Sequence, residues 1–347
     1  MGLDVAPRNT ALQHGHAPRP LPLFLEMVRE MQREDPAMAR RALQGLDRYA
    51  RAARSALPTE RPEIARVCGA TVRDHGGTGP IVVLVPSLIN PPHVLDLPGQ
   101  SLAAALAAQH HVLLVDWGTA SDRDQFDLGG HVESLLVPLL RTLGESVALV
   151  GYCVGGTMAV AAANLTPVRC LATLASPWQF DQYPIAARRS LGDLWSSARP
   201  AAEAFGVLPT EVLQAAFWSL DPRGIVAKFA RLASEPDDSE VVRRFVTIED
   251  WANKGEALPL RAARELIEEL FLADRPMRGQ WRVGGRRIRP DPCPALHFTA
   301  RADRIVPAAS APPGPTHAVA SGHVGMVVGS RAPIALHRPL LEFLGQA

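Results

Sequence analysis

The sequence has no excess of charge of either sign. Its 36 lysines and arginines nearly balance 35 aspartates and glutamates, leaving +1. Such a chain offers no electrostatic case for nucleic acid or for an anionic membrane surface. Lysine itself is almost missing: Lys228 and Lys254 are the only two among the 36 basic residues. With the many alanines, that bias reads as genome composition rather than function. Cysteine is sparse too. Cys68, Cys153, Cys170 and Cys293 lie far apart with no C-x-x-C pair, which argues against a zinc site and a disulfide framework and fits a reducing cytoplasm. The opening stretch, MGLDVAPRNTALQHGH, has no apolar h-region, so no secretory signal is expected. There is no internal repeat, and neither a metal nor a cofactor is expected.

What is present is an apolar fraction of 47% in 347 residues, enough for one large α/β domain with an insertion, or for two domains. Residues 1–20 read as disordered. From Pro22 to about Ala53 apolar residues recur at helical spacing: Phe24, Leu25, Val28 and Met31, then Met38, Leu43, Leu46 and Tyr49 after a break at Pro36. Val72–Gly79 is polar and turn-like. Buried strands follow at Ile81–Val85, His111–Val115, Val147–Val150 and Arg169–Leu174, with helices around Ser101–Gln109 and Leu128–Leu143. Alternating strand and helix imply a doubly wound, mostly parallel sheet, whose chemistry collects at the strands' carboxyl ends.

From Gln179 to about Arg287 the alternation stops. Glu211–Trp218, Ile225–Ala233, Ser239–Trp251 and Leu260–Ala273 read as helices of an inserted cap. The aromatics Trp195, Phe217, Trp218 and Trp251 either line an acyl pocket or fill the cap's own core, and the second is the commoner use. The sheet resumes at Ala295–Thr299, with a short strand at Ala318–Ala320 and a last helix ending near Leu344. The expected division is a disordered and helical arm over 1–60, a first core part over 61–178, a helical cap over 179–289 and a second core part over 290–347.

The whole is organised around Val147–Ala163, VALVGYCVGGTMAVAAA. An apolar strand runs into Gly151-Tyr152-Cys153-Val154-Gly155-Gly156, and a small-residue helix follows. This is the G-x-nucleophile-x-G elbow with cysteine in place of serine. Glycines there let strand and helix approach closely. Two bland readings compete. Cysteine often only fills space. Ser146–Leu165 is uncharged and near the roughly 20 residues of a membrane span, but three glycines near its centre and the change of periodicity oppose that.

Nucleophile, acid and histidine follow in the order Cys153, Asp303, His323, each after an expected strand. That is the order of the α/β-hydrolase triad. His323 would take the thiol proton and Asp303 would hold the other ring nitrogen. Asp116, after an early strand, is the rival acid, although aspartates there often anchor a turn. His110, His111, His297, His14 and His16 fit worse. An oxyanion hole would use the N–H of Val154 and one from Ser87, Leu88 or Ile89 after the Ile81–Val85 strand. A thiol nucleophile exchanges an acyl group with a thioester at little cost, so the chemistry leans towards acyl transfer.

At these residues the sequence resembles the polyhydroxyalkanoate synthases, with a length similar to the short catalytic subunit of the two-subunit (class III) type. The G-x-C-x-G-G box matches Gly151–Gly156. V-P-x-x-I-N followed by D-L matches Val85–Asn90 and Asp96-Leu97. V-D-W-G matches Val115–Gly118, A-x-x-D-x-I-V-P matches Ala300–Pro307, and G-G-H-I-G resembles Ser321–Gly325. The similarity runs from about Ile81 to the C-terminus and is weakest in the cap. It departs from the pattern at Arg304, usually histidine, and at Ser321, usually glycine, and the loop from Pro307 to His323 is several residues short. The resemblance implies an α/β-hydrolase fold with a helical cap and an acyltransferase. Cys153 would accept the acyl group of a 3-hydroxyacyl-CoA and His323 would activate the thiol. Asp303 would help activate the 3-hydroxyl for elongation, and coenzyme A would be released. It further implies cytoplasmic polyester granules, a growing chain or granule surface as partner, a second synthase subunit, and a homo-oligomer. A cysteine thioesterase or a polyester depolymerase on the same scaffold is the alternative. A granule-associated binding protein with a vestigial site is a third reading, which the intact triad opposes.

Overall fold

The computed structural model describes residues 16–54, 60–144 and 146–346. The disorder expected for residues 1–20 falls mostly on 1–15, which lie outside the described residues, as does His14. The chain forms two compact units. One contains Pro58–Val212 and Gly255–Ala347, the other the described part of Met1–Leu57 with Leu213–Lys254.

The larger unit is built on an eight-stranded sheet: β1 (Glu63–Val67), β2 (Ala70–Asp74), β3 (Ile81–Val85), β4 (His111–Asp116), β5 (Ala148–Tyr152), β6 (Cys170–Leu174), β7 (Ala295–Ala300) and β8 (Thr316–Val319). Their spatial order is β1-β2-β4-β3-β5-β6-β7-β8. β3 to β8 are parallel, whereas β2 is antiparallel to both β1 and β4. Strands covered on both faces must be apolar throughout. Accordingly Val82, Val83, Leu84 and Val85 of β3 are fully buried, each contributing about 1.5–3 kcal/mol relative to exposure.

The turn-like reading of Val72–Gly79 needs correcting, because β2 covers its first residues. Ala70, Thr71 and Val72 are buried, while the polar Arg73 answers ionic partners rather than a turn: its guanidinium reaches Asp116 at 3.2 Å and Glu60 at 2.8 Å. β1 lies at the sheet edge, exposed and half-buried along its length, and gives no apolar run to read.

Register aligns the strands' carboxyl ends. Val85 pairs with Gly151, Tyr152 with Leu174, Leu174 with Phe298, and Ala300 with Val319. The loops leaving β3, β5, β6, β7 and β8 therefore emerge along one edge. The uncharged stretch Ser146–Leu165 resolves into β5, a sharp turn and the helix Val154–Leu165. Among the described residues no helix is long and apolar enough to cross a membrane.

Among the described residues the longest helix is Ile185–Phe205, which has no clear helical period in the sequence. It buries only Trp195 and Ala202 and carries an internal Pro200, so it lacks a broad apolar stripe. The Trp195 indole N–H donates to Glu268 Oε1 at 2.8 Å, so this ring is fixed by a polar tie.

The smaller unit joins the arm to part of the segment expected as cap. Its helices are Leu21–Glu34, Pro36–Arg51, Pro222–Leu232 and Glu240–Ala252, with the end of Thr210–Ser219. The physical reason is burial of unpartnered apolar faces. Phe24, Val28 and Met31 join Leu46, Tyr49, Trp218, Val226, Phe229, Val242 and Val246 in one core. Leu25 and Leu43, counted in the helical pattern, are instead 44% and 46% exposed. The break falls at Asp35, whose carboxylate accepts the Met38 N–H at 2.9 Å, with Pro36 in the first turn. A Cβ on Gly45 would lie 1.9 Å from the Phe229 carbonyl oxygen, so glycine permits that helix crossing. Trp218 belongs to this core and Trp251 is buried, whereas Phe217 is half-buried.

Candidate active site

Cys153 stands between β5 and the helix Val154–Leu165 with φ 54° and ψ −132°. A residue with a Cβ in that region is strained, by about 1–3 kcal/mol, and it stays there only if its surroundings hold it. The Cys153 N–H donates to the Leu174 carbonyl at 2.9 Å, and the Cys153 carbonyl accepts from the Gly156 N–H at 2.9 Å. The flanking glycines answer the close approach expected of them. A Cβ on Gly151 would sit 2.3 Å from Gly156 Cα, and one on Gly155 would sit 2.3 Å from the Val85 oxygen.

Asp303 and His323 come from the loops after β7 and β8. Those loops are laced together: Arg301 N–H donates to the Val319 carbonyl and Ala302 N–H to that of Ser321, both at 2.9 Å. His323 Nδ1 lies 2.7 Å from Asp303 Oδ2. Asp303 Oδ1 accepts from the N–H groups of Ile305 and Val306, each at 2.8 Å. With both oxygens engaged and its side chain fully buried, the carboxylate is fixed. The Cys153 side chain stands close enough to the His323 ring to act on it electrostatically. The structure therefore brings Cys153, His323 and Asp303 together. Burial alone would lower the imidazole's pKa, but Cys153 and Asp303 outweigh it and raise it to about 10.

The rival acid is elsewhere engaged: Asp116 accepts from the Gly118 N–H at 3.1 Å and pairs with Arg73. His111 lies 3.1 Å from Asp74, and His297 Nδ1 lies 2.9 Å from Thr173 Oγ1. Another His–Asp pair, His75 Nδ1 to Asp96 Oδ2 at 2.8 Å, has Arg61 and the Ser101 hydroxyl on the same carboxylate. That serine bonds the acid and not the histidine, so the group is a structural tie. Among the described residues no three or more His, Cys, Asp or Glu are grouped to hold a metal ion.

Of the oxyanion-hole candidates, Val154 opens its helix, where N–H groups lack intrahelical acceptors and the helix dipole favours negative charge. Ser87, Leu88 and Ile89 follow β3, the neighbour of β5, and all three are buried. A Cβ on Gly155 would also lie 2.4 Å from the Pro86 oxygen, so this loop touches the elbow. Tyr152 is a variable position of the elbow. Its ring lies against the His323 imidazole, centroids 5.1 Å apart and tilted 31°. Nothing in its spacing announces that contact, which arises because two loops converge.

Residues 75–335 match the pattern described as the alpha/beta hydrolase family. This chain belongs to that family. The parallel sheet and the strand–nucleophile–helix turn are the framework such a hydrolase provides for its site. Within the curated proteins, this alpha/beta hydrolase is similar to the Poly(3-hydroxyalkanoate) polymerase subunit PhaC of Haloferax mediterranei, 28% identical over 273 residues, covering 72% of this chain and 56% of that protein. It is similar to the protein of the same name from Haloarcula marismortui, 25% identical over 304 residues, covering 81% and 64%. The Synechocystis protein of that name is 25% identical over 295 residues, covering 76% and 77%. The resemblance read from the motifs is thus borne out. The chain spans 56% and 64% of the length of the first two relatives.

Proposed function

We propose that this chain is the catalytic subunit of a polyhydroxyalkanoate synthase, an acyltransferase that joins 3-hydroxyacyl groups from coenzyme A thioesters into a polyester. The observation that carries the reading is the buried Cys153, His323 and Asp303 group at the sheet edge. Three relatives bearing a polymerase name support the substrate class.

His323 takes the Cys153 proton, and the thiolate attacks the thioester carbonyl. The oxyanion is met by the Val154 N–H and by Leu88 or Ile89. The carbon–sulfur bond to coenzyme A breaks, and the proton passes from His323 to the departing thiolate. Cys153 is left acylated. The hydroxyl of another 3-hydroxyacyl group then gives its proton to the imidazole and attacks that acyl carbon, forming an ester and freeing Cys153. Asp303 holds the ring throughout. A thioester resting state suits transfer because acyl exchange between thiols is nearly thermoneutral. The growing chain or granule surface, a second synthase subunit and assembly into a homo-oligomer belong to the same proposal, as does a cytoplasmic, granule-bound location.

The test uses the purified chain with 3-hydroxybutyryl-CoA, following coenzyme A release and free 3-hydroxybutyrate in parallel. Coenzyme A release with insoluble polymer and little free acid is the expected result. Free acid equal to the coenzyme A would make the protein a thioesterase instead. Cys153→Ala should lose at least about a thousandfold in release. Full release from that variant would remove the mechanism.

A further inference from the structure

Arg123 is 1% exposed, an unusual place for a guanidinium. Of its five N–H donors, one on Nη1 points at His131 Nε2 at 3.2 Å and one on Nη2 donates to the Leu88 carbonyl at 3.3 Å. The Nε–H is buried with no hydrogen-bond partner. The guanidinium's hydrogen-bond acceptors are neutral, while the carboxylates of Glu256, Asp116 and Asp122 act on it only through space and do not offset its burial, so an apolar side chain of that length would avoid a cost. What the arginine does provide is direction, because its planar fork fixes two acceptors at once.

His131 is set to receive it. Its Nδ1 lies 2.6 Å from the Asp127 carbonyl, which can only accept, so Nδ1 carries the hydrogen and Nε2 is free to accept. Burial lowers this imidazole's pKa to about 4, so it stays neutral at working pH. The Trp117 ring stands edge-on to His131 at 6.0 Å and sends its own N–H to the Pro86 carbonyl at 3.0 Å.

These ties converge on the loop after β3. The Pro86 carbonyl is held by Trp117, that of Leu88 by Arg123, and that of Ile89 by the Glu256 N–H at 2.8 Å. A trans peptide is planar, with its C=O and N–H pointing in opposite directions. Pinning the Leu88 carbonyl therefore aims the Ile89 N–H away from Arg123. The partner of that N–H, Ser87 Oγ, is 3.4 Å distant, a long bond, so the donor is held in reserve. We propose that Arg123 is a positioning residue that orients the Ile89 N–H as the second oxyanion donor, choosing Ile89 over Leu88. This rests on Cys153 being the acylated nucleophile.

Two rates on the purified chain separate the roles. Coenzyme A release in the first turnover of 3-hydroxybutyryl-CoA passes through an oxyanion. Alkylation of Cys153 by iodoacetamide does not: sulfur displaces iodide from a saturated carbon, so it reports only the activated thiol. In Arg123→Met the first-turnover rate should fall about 10- to 100-fold, the scale of a misdirected oxyanion donor, with alkylation within about twofold of the parent. Arg123→Lys keeps the charge but offers a single point of donation, and should fall between the two. Unchanged first-turnover release in Arg123→Met, or an equal loss of both rates in the folded variant, would overturn the assignment. If Arg123→Met does not fold, Arg123→Lys is read by the same two rates against the same criteria. An unmodified chain that shows neither acylation nor alkylation at Cys153 would instead sink the nucleophile reading, and this one with it.

Discussion

Asp303 accepts from His323 Nδ1 on Oδ2 at 2.7 Å and from two backbone N–H groups on Oδ1 at 2.8 Å. A carboxylate occupied on both oxygens is suited to holding a ring rather than to leaving it for a substrate hydroxyl. The two roles differ in what they do to the thiol.

Asp303→Asn therefore distinguishes them. Asparagine preserves the shape but can present an N–H to Nδ1, which favours the wrong tautomer. If Asp303 orients His323, iodoacetamide alkylation of Cys153 and first-turnover coenzyme A release both fall, the latter by about 10²–10⁴-fold. If its work is confined to the incoming hydroxyl, alkylation and the first turnover stay intact and only polymer growth stops. The geometry supports the first outcome, and measuring all three quantities on one preparation decides it.

Gly155 offers a test of the elbow's packing. A Cβ there would lie 2.3 Å from the Val85 oxygen and 2.4 Å from that of Pro86. Both obstacles are backbone in a buried strand end, so neither can swing aside. Gly155→Ala should cost about 1–3 kcal/mol of stability as an overpacked site and slow coenzyme A release more than the lost stability explains. Urea unfolding with the first-turnover rate reads both. An alanine variant with parental stability and rate would mean that the elbow is looser than its contacts indicate.

The parts of the fold legible in sequence were those with an unambiguous physical period. β3 and β5 are apolar throughout because both faces are covered, and the glycines at 151, 155 and 156 declare a close approach. β1 and β2 were not legible, since an edge strand and a strand that ends in Arg73 and Asp74 have no apolar run to display. The arm's apolar face was visible at Phe24, Val28 and Met31, but its partner was not, because Phe229 and Trp218 lie some two hundred residues further along the chain. Order and flanking motif singled out Cys153, Asp303 and His323, and the fold sets His323 Nδ1 2.7 Å from Asp303 Oδ2. The contacts of Arg123 and Glu256 with the loop after β3, and of Tyr152 with the His323 ring, were not legible, because no spacing encodes a backbone or ring contact.

Acid should weaken the sheet through His297. This imidazole is 1% exposed in β7 and bonded to Thr173, and burial lowers its pKa to about 4 from an ordinary 6.5. The unfolded chain thus binds a proton that the folded chain refuses between those two values. Stability from this group is complete above about pH 6.5 and is lost as pH falls towards about 4, by up to about 1.4 kcal/mol per pH unit. By pH 5 the loss is about 2 kcal/mol. His131, lowered to about 4 by its own burial, acts in the same direction. His323 has the opposite sign: its raised pKa gives stability that is full below about pH 6.5 and lost as pH rises towards about 10. In His297→Asn the amide replaces the ring next to Thr173 and cannot titrate. Between pH 7.5 and 5 the variant should lose about 2 kcal/mol less stability than the parent, read from urea midpoints at the two pH values. Equal losses would show that His297 is protonated as readily in the folded sheet as in the unfolded chain, against its burial.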